Sequence, residues 1–232
     1  MGKRIIQQAR GHGSLTYRVK KRAFRIKPSY PLNLEGEWII KKFVRSAGHT
    51  APIVEIVNSE GKKFYNLAAN SVFEGQKIVF GGKNVGDICF LKDLDVGTKI
   101  FNIERIPFDG GKFVRSGGNS AVVVSKELEG IKVLMPSKIV RIFDEKCRAT
   151  IGELAAQGRK EKPVLKAGKK YYIKKAKSKK WPRTSAVKMN AVDHPFGSGR
   201  GKRIKSKIVK RFASPGQKVG LLRPRRTGRK KL

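Results

Sequence analysis

The charge of the last third of the chain constrains its fold more than any other feature of the sequence. Residues 159–232 contain 27 Lys and Arg against two acids, Glu161 and Asp193, a net charge of +25. Their apolar residues are scattered, so the segment cannot bury enough surface to offset its ordering entropy and self-repulsion. We therefore expect it to be disordered alone and ordered on a polyanion. Its irregular sequence, punctuated by Gly and Pro, favours a folded RNA over a uniform duplex.

The remaining charge divides the chain into three parts. Residues 1–36 hold nine basic residues and one acid, and residues 37–158 hold 18 basic and 14 acidic residues. A nearly charge-balanced middle is thus flanked by two basic arms, which is typical of a nucleic-acid-binding protein with extensions. The middle is long enough for one domain or two small ones.

Short β-type segments fill this middle. A first set occupies residues 38–44, 51–58, 63–67 and 77–80, and a second set occupies residues 87–91, 99–103, 112–115, 121–125, 131–134 and 139–143. Gly, Asp, Asn or Pro separate these segments, and no long helical periodicity interrupts them, so each set predicts a small barrel. Helix is expected to be scarce, with a turn or two at residues 150–156, and residues 171–173 are expected to add a strand or to stack on a partner.

The cysteines and histidines predict no metal site. Cys89 and Cys147 lie far apart in apolar or mixed sequence, which favours reduced thiols near the core of a cytosolic protein. His12, His49 and His194 have no Cys or His at metal-ligand spacing. The sequence has neither an apolar signal-peptide region nor an apolar run of membrane length, so no membrane association is expected.

The adjacent Asp193 and His194 suggest either a general-base pair or a binding loop. Adjacency in sequence does not orient a carboxylate onto an imidazole, and the chain has no Ser or Cys nucleophile motif and no phosphate-binding loop. Pro195 stiffens the backbone, whereas Gly197 and Gly199 permit close approach to another backbone. We therefore favour a rigid loop in an RNA groove and expect no enzymatic activity and no cofactor.

Two further segments each have two interpretations. The first arm interleaves basic residues with Tyr17, Phe24 and Tyr30, which suits phosphate contact and base stacking, although a solvated basic leader is the alternative. Glycine pairs bracket Lys112 and Arg115, which suits either barrel turns or the close approach of RNA phosphates. Arg148 has the same two interpretations.

Several motifs resemble the family of the universal second protein of the large ribosomal subunit. They lie at residues 110–115, 119–121, 147–152, 162–163, 166–168, 189–197, 216–220 and 226–229. Residues 189–199 are named the histidine loop below. The Val-Asp-His-Pro run that they contain is specific to this family. With Phe196 after Pro195, the motif resembles that of the archaeal and eukaryotic branch of the family. Ser198 interrupts the glycines that many relatives have at this point.

The resemblance implies a mainly β fold, with an oligonucleotide-binding-fold barrel at residues 37–82 and an SH3-like barrel at residues 83–158. Long basic extensions would occupy residues 1–36 and 159–232. It also implies a structural component of the large subunit in cytoplasmic ribosomes, one that binds large-subunit ribosomal RNA and supports assembly, subunit association and tRNA binding around the peptidyl transferase centre.

Further partners implied by the resemblance are neighbouring ribosomal proteins and small-subunit RNA at the subunit interface. The alternative function is a general RNA-binding chaperone that is not tied to the ribosome. In either case, the candidate RNA contacts are basic, aromatic and loop residues. They are Lys3, Arg4, Arg10, His12, Tyr17, Arg18, Lys20, Arg22, Lys112, Arg115, Asn119, Arg148, Lys166, Lys169, Lys180, Trp181, Arg183, Met189, Asn190, Asp193, His194, Pro195, Phe196, Gly197, Lys218, Arg226 and Arg229.

Overall fold

The structure is a computed structural model that describes residues 3–34, 36–159, 161–199, 212 and 218–220. The chain divides into two compact units: the first combines residues 1–18 with 179–232, and the second comprises residues 19–178. The motif at residues 226–229 lies outside the described residues.

The second unit begins its β structure with a four-stranded antiparallel sheet. Its strands are β1 (Trp38–Val44), β2 (Ile53–Asn58), β3 (Lys63–Leu67) and β4 (Lys77–Ile78), in the order β3-β2-β1-β4. Four successive residues of β2 are buried, because both faces of this strand are covered. The register of β1 and β2 shifts after Ile40, as at a β-bulge, which bends and twists the sheet.

A six-stranded antiparallel sheet follows in the same unit. It contains β5 (Ile88–Phe90), β6 (Lys99–Phe101), β7 (Ala121–Glu127), β8 (Gly130–Leu134), β9 (Val140–Phe143) and β10 (Arg148–Ile151), in the order β5-β10-β6-β7-β8-β9. Ile100, Val133 and Ala149 are fully buried at its centre. The chain is mainly β with curled sheets, so the predicted fold class is confirmed.

A shared apolar cluster joins the two sheets. Ile53 and Leu67 of the first sheet pack with Phe101 of the second and with Leu154, all at most 1% exposed. The boundary predicted between residues 82 and 83 falls between the sheets, and the extent of each barrel domain stays a prediction.

Buried polar groups add a second connection between the sheets. The Tyr30 hydroxyl donates to the Asn102 carbonyl oxygen at 2.9 Å and lies 2.6 Å from Thr150 Oγ1. Asn66 Nδ2 donates to Thr150 Oγ1 at 3.0 Å, and Asn102 Nδ2 donates to Asn66 Oδ1 at 2.9 Å. Because a phenol has one proton, Thr150 must donate to Tyr30. These four side chains tie the first arm, β3, β10 and the end of β6 together.

Two helices lie where the sequence predicted none. Helix α1 spans Ile6–Gly11 and helix α2 spans Ala167–Ala176. The expected strand at residues 171–173 is wrong because Ala and Lys, which are good helix formers, surround these residues and override their β preference. Short 3₁₀ turns lie at Lys21–Phe24, Leu91–Asp93, Gln157–Arg159 and Ala186–Lys188.

Two predictions near the second sheet also fail. The sequence predicts a helical turn or two at residues 150–156, but residues 150 and 151 belong to strand β10. The polar residues Arg148 and Thr150 of this strand are buried against groups distant in sequence, which the local sequence does not reveal. Residues 112–115 were expected to form a strand. They make only one bridge, from Phe113 to Ile103, because Val114 takes a positive φ of 51° that ends any extended pairing.

The two cysteines are free and buried, as predicted. Burial raises the pKa of Cys89 to about 11 and that of Cys147 to about 12. Both thiols therefore stay protonated and unreactive at neutral pH. None of the described helices is long and apolar enough to cross a membrane.

Candidate RNA interface

The histidine loop closes on itself through its backbone. The Asn190 carbonyl accepts hydrogen bonds from the N–H groups of Asp193 and His194, at 3.0 and 3.2 Å. The His194 carbonyl accepts the N–H of Gly197 at 2.8 Å, and a bridge pairs Asn190 with Ser198. The loop is therefore a preformed element held by its own hydrogen bonds.

Gly197 makes this closure possible. The residue is buried, and a Cβ added there would overlap the Asn190 carbonyl oxygen and lie 2.6 Å from the Met189 oxygen. A Cβ at Gly199 would meet no described atom within 4 Å. Close approach of another backbone is thus observed at Gly197, and at Gly199 it stays a prediction.

The His194 imidazole is oriented by its neighbour. Its Nδ1 accepts the backbone N–H of Phe196 at 3.0 Å, and the two ring centroids lie 5.1 Å apart. A nitrogen that accepts a hydrogen bond carries no proton, so the neutral ring has its proton on Nε2. The imidazole can therefore donate one hydrogen bond to a partner.

Lys3 connects the N-terminal segment to this loop. Its backbone N–H donates to the Val192 carbonyl at 3.0 Å, and its Nζ lies 3.7 Å from Asp193 Oδ1. The ion-pair partner of Asp193 is thus Lys3, and the hydrogen-bond partner of the His194 ring is Phe196. The two adjacent side chains do not form the arrangement that a general-base pair requires.

A groove of about 310 Å³ lies beside the loop, and we call it the cationic groove. The side chains of Arg10, Lys180 and Arg183 line it together with Tyr17 and His194. Lys180 Nζ lies 5.4 Å from the centre of the Tyr17 ring, and Arg10 Cζ lies 5.9 Å from it. Each of these residues was predicted separately from the sequence, and the structure brings them together in one groove.

Arg148 contradicts its predicted role. The side chain is 1% exposed and makes an ion pair with Glu104, with Nη2 2.7 Å from Oε1. Its Nη1 donates to the carbonyl oxygens of Pro31 and Leu32, at 2.6 and 3.3 Å. These donors are used inside the protein, so Arg148 fastens the first arm to β10, which favours the structural one of its two interpretations.

Arg115 has a mainly structural setting as well. The guanidinium is half-buried and donates to the carbonyl oxygens of Gly111 and Pro28, each at 2.8 Å. Nearby Lys112 is exposed and Asn119 is half-buried. Lys112 is therefore the residue of this segment best placed to meet a phosphate.

Comparison with known proteins decides the family. A sequence profile described as "Ribosomal Proteins L2, C-terminal domain" matches residues 84–215. The chain is 42% identical over 236 residues to "Large ribosomal subunit protein uL2" of Archaeoglobus fulgidus, covering 98% of this chain and 99% of the relative. The chain belongs to the uL2 family. Relatives of the same name from Methanococcoides burtonii and Thermoplasma acidophilum are 41% and 40% identical, over 99% and 97% of this chain and 100% and 97% of theirs.

The other candidate contacts of this uL2 family member lie mostly at the surface. Those that are exposed are Lys3, Arg4, Arg10, His12, Arg18, Lys20, Arg22, Lys166, Lys169, Lys180, Arg183, Asn190 and Lys218. Those that are half-buried are Tyr17, Trp181, Met189, Asp193, His194, Pro195 and Phe196. Arg226 and Arg229 lie outside the described residues.

His12 and helix α2 show how the surface is organised locally. Arg4 Nη1 lies 2.8 Å from His12 Nε2, which must accept because arginine only donates. Helix α2 has no buried residue, although it contains Tyr171, Tyr172 and Ile173. A ten-residue helix that buries no face gains little stability from its own chain, so a partner is expected to stabilise it.

The second unit contains a basic groove that was not predicted from the sequence. Arg25, Lys42, Arg45 and His49 line it with the predicted Arg22, and its volume is about 1350 Å³. Burial, and then the charge of Arg115, lowers the pKa of His49, whose Nδ1 lies 2.7 Å from Ser46 Oγ. The basic residues within 41–45, at the exposed end of β1 and directly after it, were the sequence signal that could have indicated this groove. Within the described ranges, no three His, Cys, Asp or Glu side chains group as metal ligands.

Proposed function

We propose that the chain is a structural, non-enzymatic component of the large ribosomal subunit that binds large-subunit ribosomal RNA in the cytoplasm. The observation that carries this proposal is the charge of the first unit. Residues 1–18 and 179–232 hold 22 Lys and Arg against a single acid, Asp193, which is paired with Lys3. Segments of this charge cannot neutralise themselves, so they require a polyanion.

Folded RNA fits this surface better than a regular duplex does. Arg10, Lys180 and Arg183 line one groove. The half-buried Tyr17 ring and His194 of the histidine loop line the same groove, and Phe196 of the loop is half-buried as well. Proteins recognise loops and unpaired segments of RNA by combining phosphate contacts with stacking on aromatic rings. The exposed Lys and Arg would contact phosphates, while the loop would fix the register of the RNA.

We assign His194 a positioning role near the peptidyl transferase centre, in support of the architecture that binds tRNA. A general base needs an unengaged lone pair at the reacting proton. In His194 the Nδ1 lone pair accepts the Phe196 N–H, and Nε2 carries the proton of the neutral ring. The imidazole is thus arranged to donate to RNA and not to remove a proton.

Neighbouring ribosomal proteins are proposed to cover the edge strand β9. Val140 and Ile142 are 48% and 50% exposed, and Leu134 beside them on β8 is 38% exposed. The Met135 N–H donates to Ile139, so the alternation of an antiparallel ladder directs the backbone groups of Val140 and Ile142 away from β8. An apolar, unpaired edge suits a protein partner. Small-subunit RNA at the subunit interface remains part of the proposal.

Sedimentation distinguishes this proposal from a general RNA chaperone. The tagged protein is followed through density gradients of cell extract at low and high salt. A structural component is expected in near-stoichiometric amount with the large subunit, and it stays there at salt that removes loosely bound basic proteins. Substoichiometric binding that high salt abolishes would instead support the chaperone.

A further inference from the structure

We propose that the cationic groove holds a single nucleotide turned out of the base stack of the bound RNA. The inference rests on the proposed RNA binding but adds a defined ligand: one base with its phosphate. The residues that line the groove lie within 6–17 and 180–194, so it belongs entirely to the first unit.

The cationic side chains of the groove favour an anionic ligand. Arg10 and Lys180 both approach the Tyr17 ring, within 5.9 and 5.4 Å of its centre, and Arg183 lines the same space. Like charges that converge in one groove repel one another. The single acid of the first unit, Asp193, is paired with Lys3. A phosphate group would relieve this repulsion and accept hydrogen bonds from the guanidinium groups.

The remaining lining suits a flat apolar group. Ile6, Pro182 and Met189 line the groove together with the Tyr17 ring. A free phosphate would use only the cations, and an aliphatic ligand would use only the apolar side chains. A nucleotide uses both, because its base stacks on aromatic and apolar side chains while its phosphate meets Arg and Lys.

The size of the groove and the polar groups in its lining restrict the possible ligands further. The volume of about 310 Å³ is at the lower end for ligand pockets, which fits one nucleotide and excludes a base pair. His194 and Thr184 also line the groove. The Nε2 proton of neutral His194 would meet an acceptor on the edge of the base.

Methionine methyl groups offer a direct test on the intact protein. The chain has three methionines, of which Met189 lines the groove and Met135 packs against the core of the second sheet. The full chain is labelled with ¹³C-methyl methionine and titrated with the four nucleoside 5′-monophosphates at constant ionic strength. Ribose 5-phosphate, which lacks a base, is titrated in parallel.

The expected result is a saturable shift of the Met189 methyl signal with at least one nucleotide, little shift with ribose 5-phosphate, and no change at Met135. Tyr17→Leu should weaken the nucleotide-dependent shift about tenfold or more, as loss of base stacking predicts, whereas Tyr172→Leu should not. An unchanged Met135 signal shows that the second unit of each variant is folded. A Met189 signal that is resolved from that of free methionine before ligand is added shows that the groove is formed in the free parent and in each variant.

Equal shifts with ribose 5-phosphate would mean that the groove binds phosphate alone and would overturn the proposal. So would an unmoved Met189 signal, or a Tyr17→Leu variant that responds like the parent. None of these outcomes affects the sedimentation of the protein with the large subunit. Failure of the groove and failure of the proposed function are therefore distinguishable.

Discussion

Glu104 and Arg148 show how a single charged residue serves the fold. Both side chains are at most 1% exposed, and they form the sole ion pair of the described residues in which neither partner reaches solvent. Burying either charge alone would cost several kcal/mol, so each is tolerated because the other is present. The additional bonds from Arg148 to Pro31 and Leu32 extend this dependence to the first arm.

Arg148→Met is expected to lower the free energy of unfolding by about 3–5 kcal/mol, because it leaves Glu104 buried without its partner. Urea unfolding followed by tryptophan fluorescence measures this loss. The matched control is Lys77→Met, which breaks an exposed pair with Glu37 and should cost about 0–1 kcal/mol. If Arg148→Met were as stable as the parent and bound RNA more weakly, Arg148 would be an RNA-binding residue and the structural role would be contradicted.

Gly197→Ala is expected to distort the histidine loop, since the new methyl group would overlap the Asn190 carbonyl. Incorporation of the variant into large subunits should fall relative to the parent when the two compete in one cell. Gly199→Ala adds the same methyl group in open space and serves as the control. Equal incorporation of both variants would contradict a structural requirement for glycine at position 197.

At the scale of elements, the polar cluster around Tyr30 links strands that are distant in sequence. Tyr30→Phe removes the hydrogen bonds to the Asn102 carbonyl and to Thr150. The expected loss of unfolding free energy is about 1–3 kcal/mol, because these buried partners are left unsatisfied. Thermal or urea unfolding measures it, with the exposed Tyr172→Phe as a control that should change little. A neutral Tyr30→Phe would show that water replaces the hydroxyl.

The same core predicts a loss of stability in alkali. Burial raises the folded pKa of Cys89 to about 11 and of Cys147 to about 12, from an ordinary value of 9.0, and raises that of Tyr30 as well. A raised folded pKa gives stabilisation that is complete below the unfolded pKa and is lost as the pH rises through the folded pKa. The unfolding free energy should therefore decline from about pH 9 upward.

The double variant Cys89→Ala, Cys147→Ala isolates the thiol contribution to this decline. Urea unfolding at intervals between pH 8 and 11 should give a shallower fall for the variant than for the parent. Deprotonation of the many lysines affects both proteins equally and cancels in the comparison. Parallel pH profiles would show that the thiols do not contribute.

At the scale of the whole molecule, the net charge of +37 determines how the protein meets its partner. Lys and Arg that neutralise phosphates release counterions, so affinity for large-subunit RNA should fall steeply with salt. Between 50 and 200 mM salt we expect a loss of roughly a thousandfold or more, as measured by filter binding. A nearly flat salt dependence would contradict the electrostatic account.

Substitutions of single lysines test whether the salt dependence of RNA binding depends on particular positions. Lys180→Ala removes a cation of the groove and should reduce the salt slope by about 1. Lys83→Ala removes a cation that is already paired with Asp95 at 3.1 Å and should leave the slope nearly unchanged. Equal effects of the two substitutions would indicate that binding depends on total charge and not on particular positions.

The sequence by itself determined the features that depend on neighbouring residues. Strand β1 was predicted with its observed bounds because its residues are rich in β-preferring types, which indicate a strand without reference to the rest of the chain. The burial of the cysteines was likewise predicted from the apolar or mixed sequence around them. The motif around His194 indicated the family, which the relatives confirm.

The tertiary structure decided whatever depends on a partner far away in the chain. Arg148 looks like a surface cation until Glu104, 44 residues earlier, lies beside it in the core. The cationic groove exists because residues 6–17 and 180–194 come together, and neither segment alone shows it. Such pairings depend on how the chain folds back on itself, and composition and periodicity carry no information about that, because they describe only residues that are close in sequence.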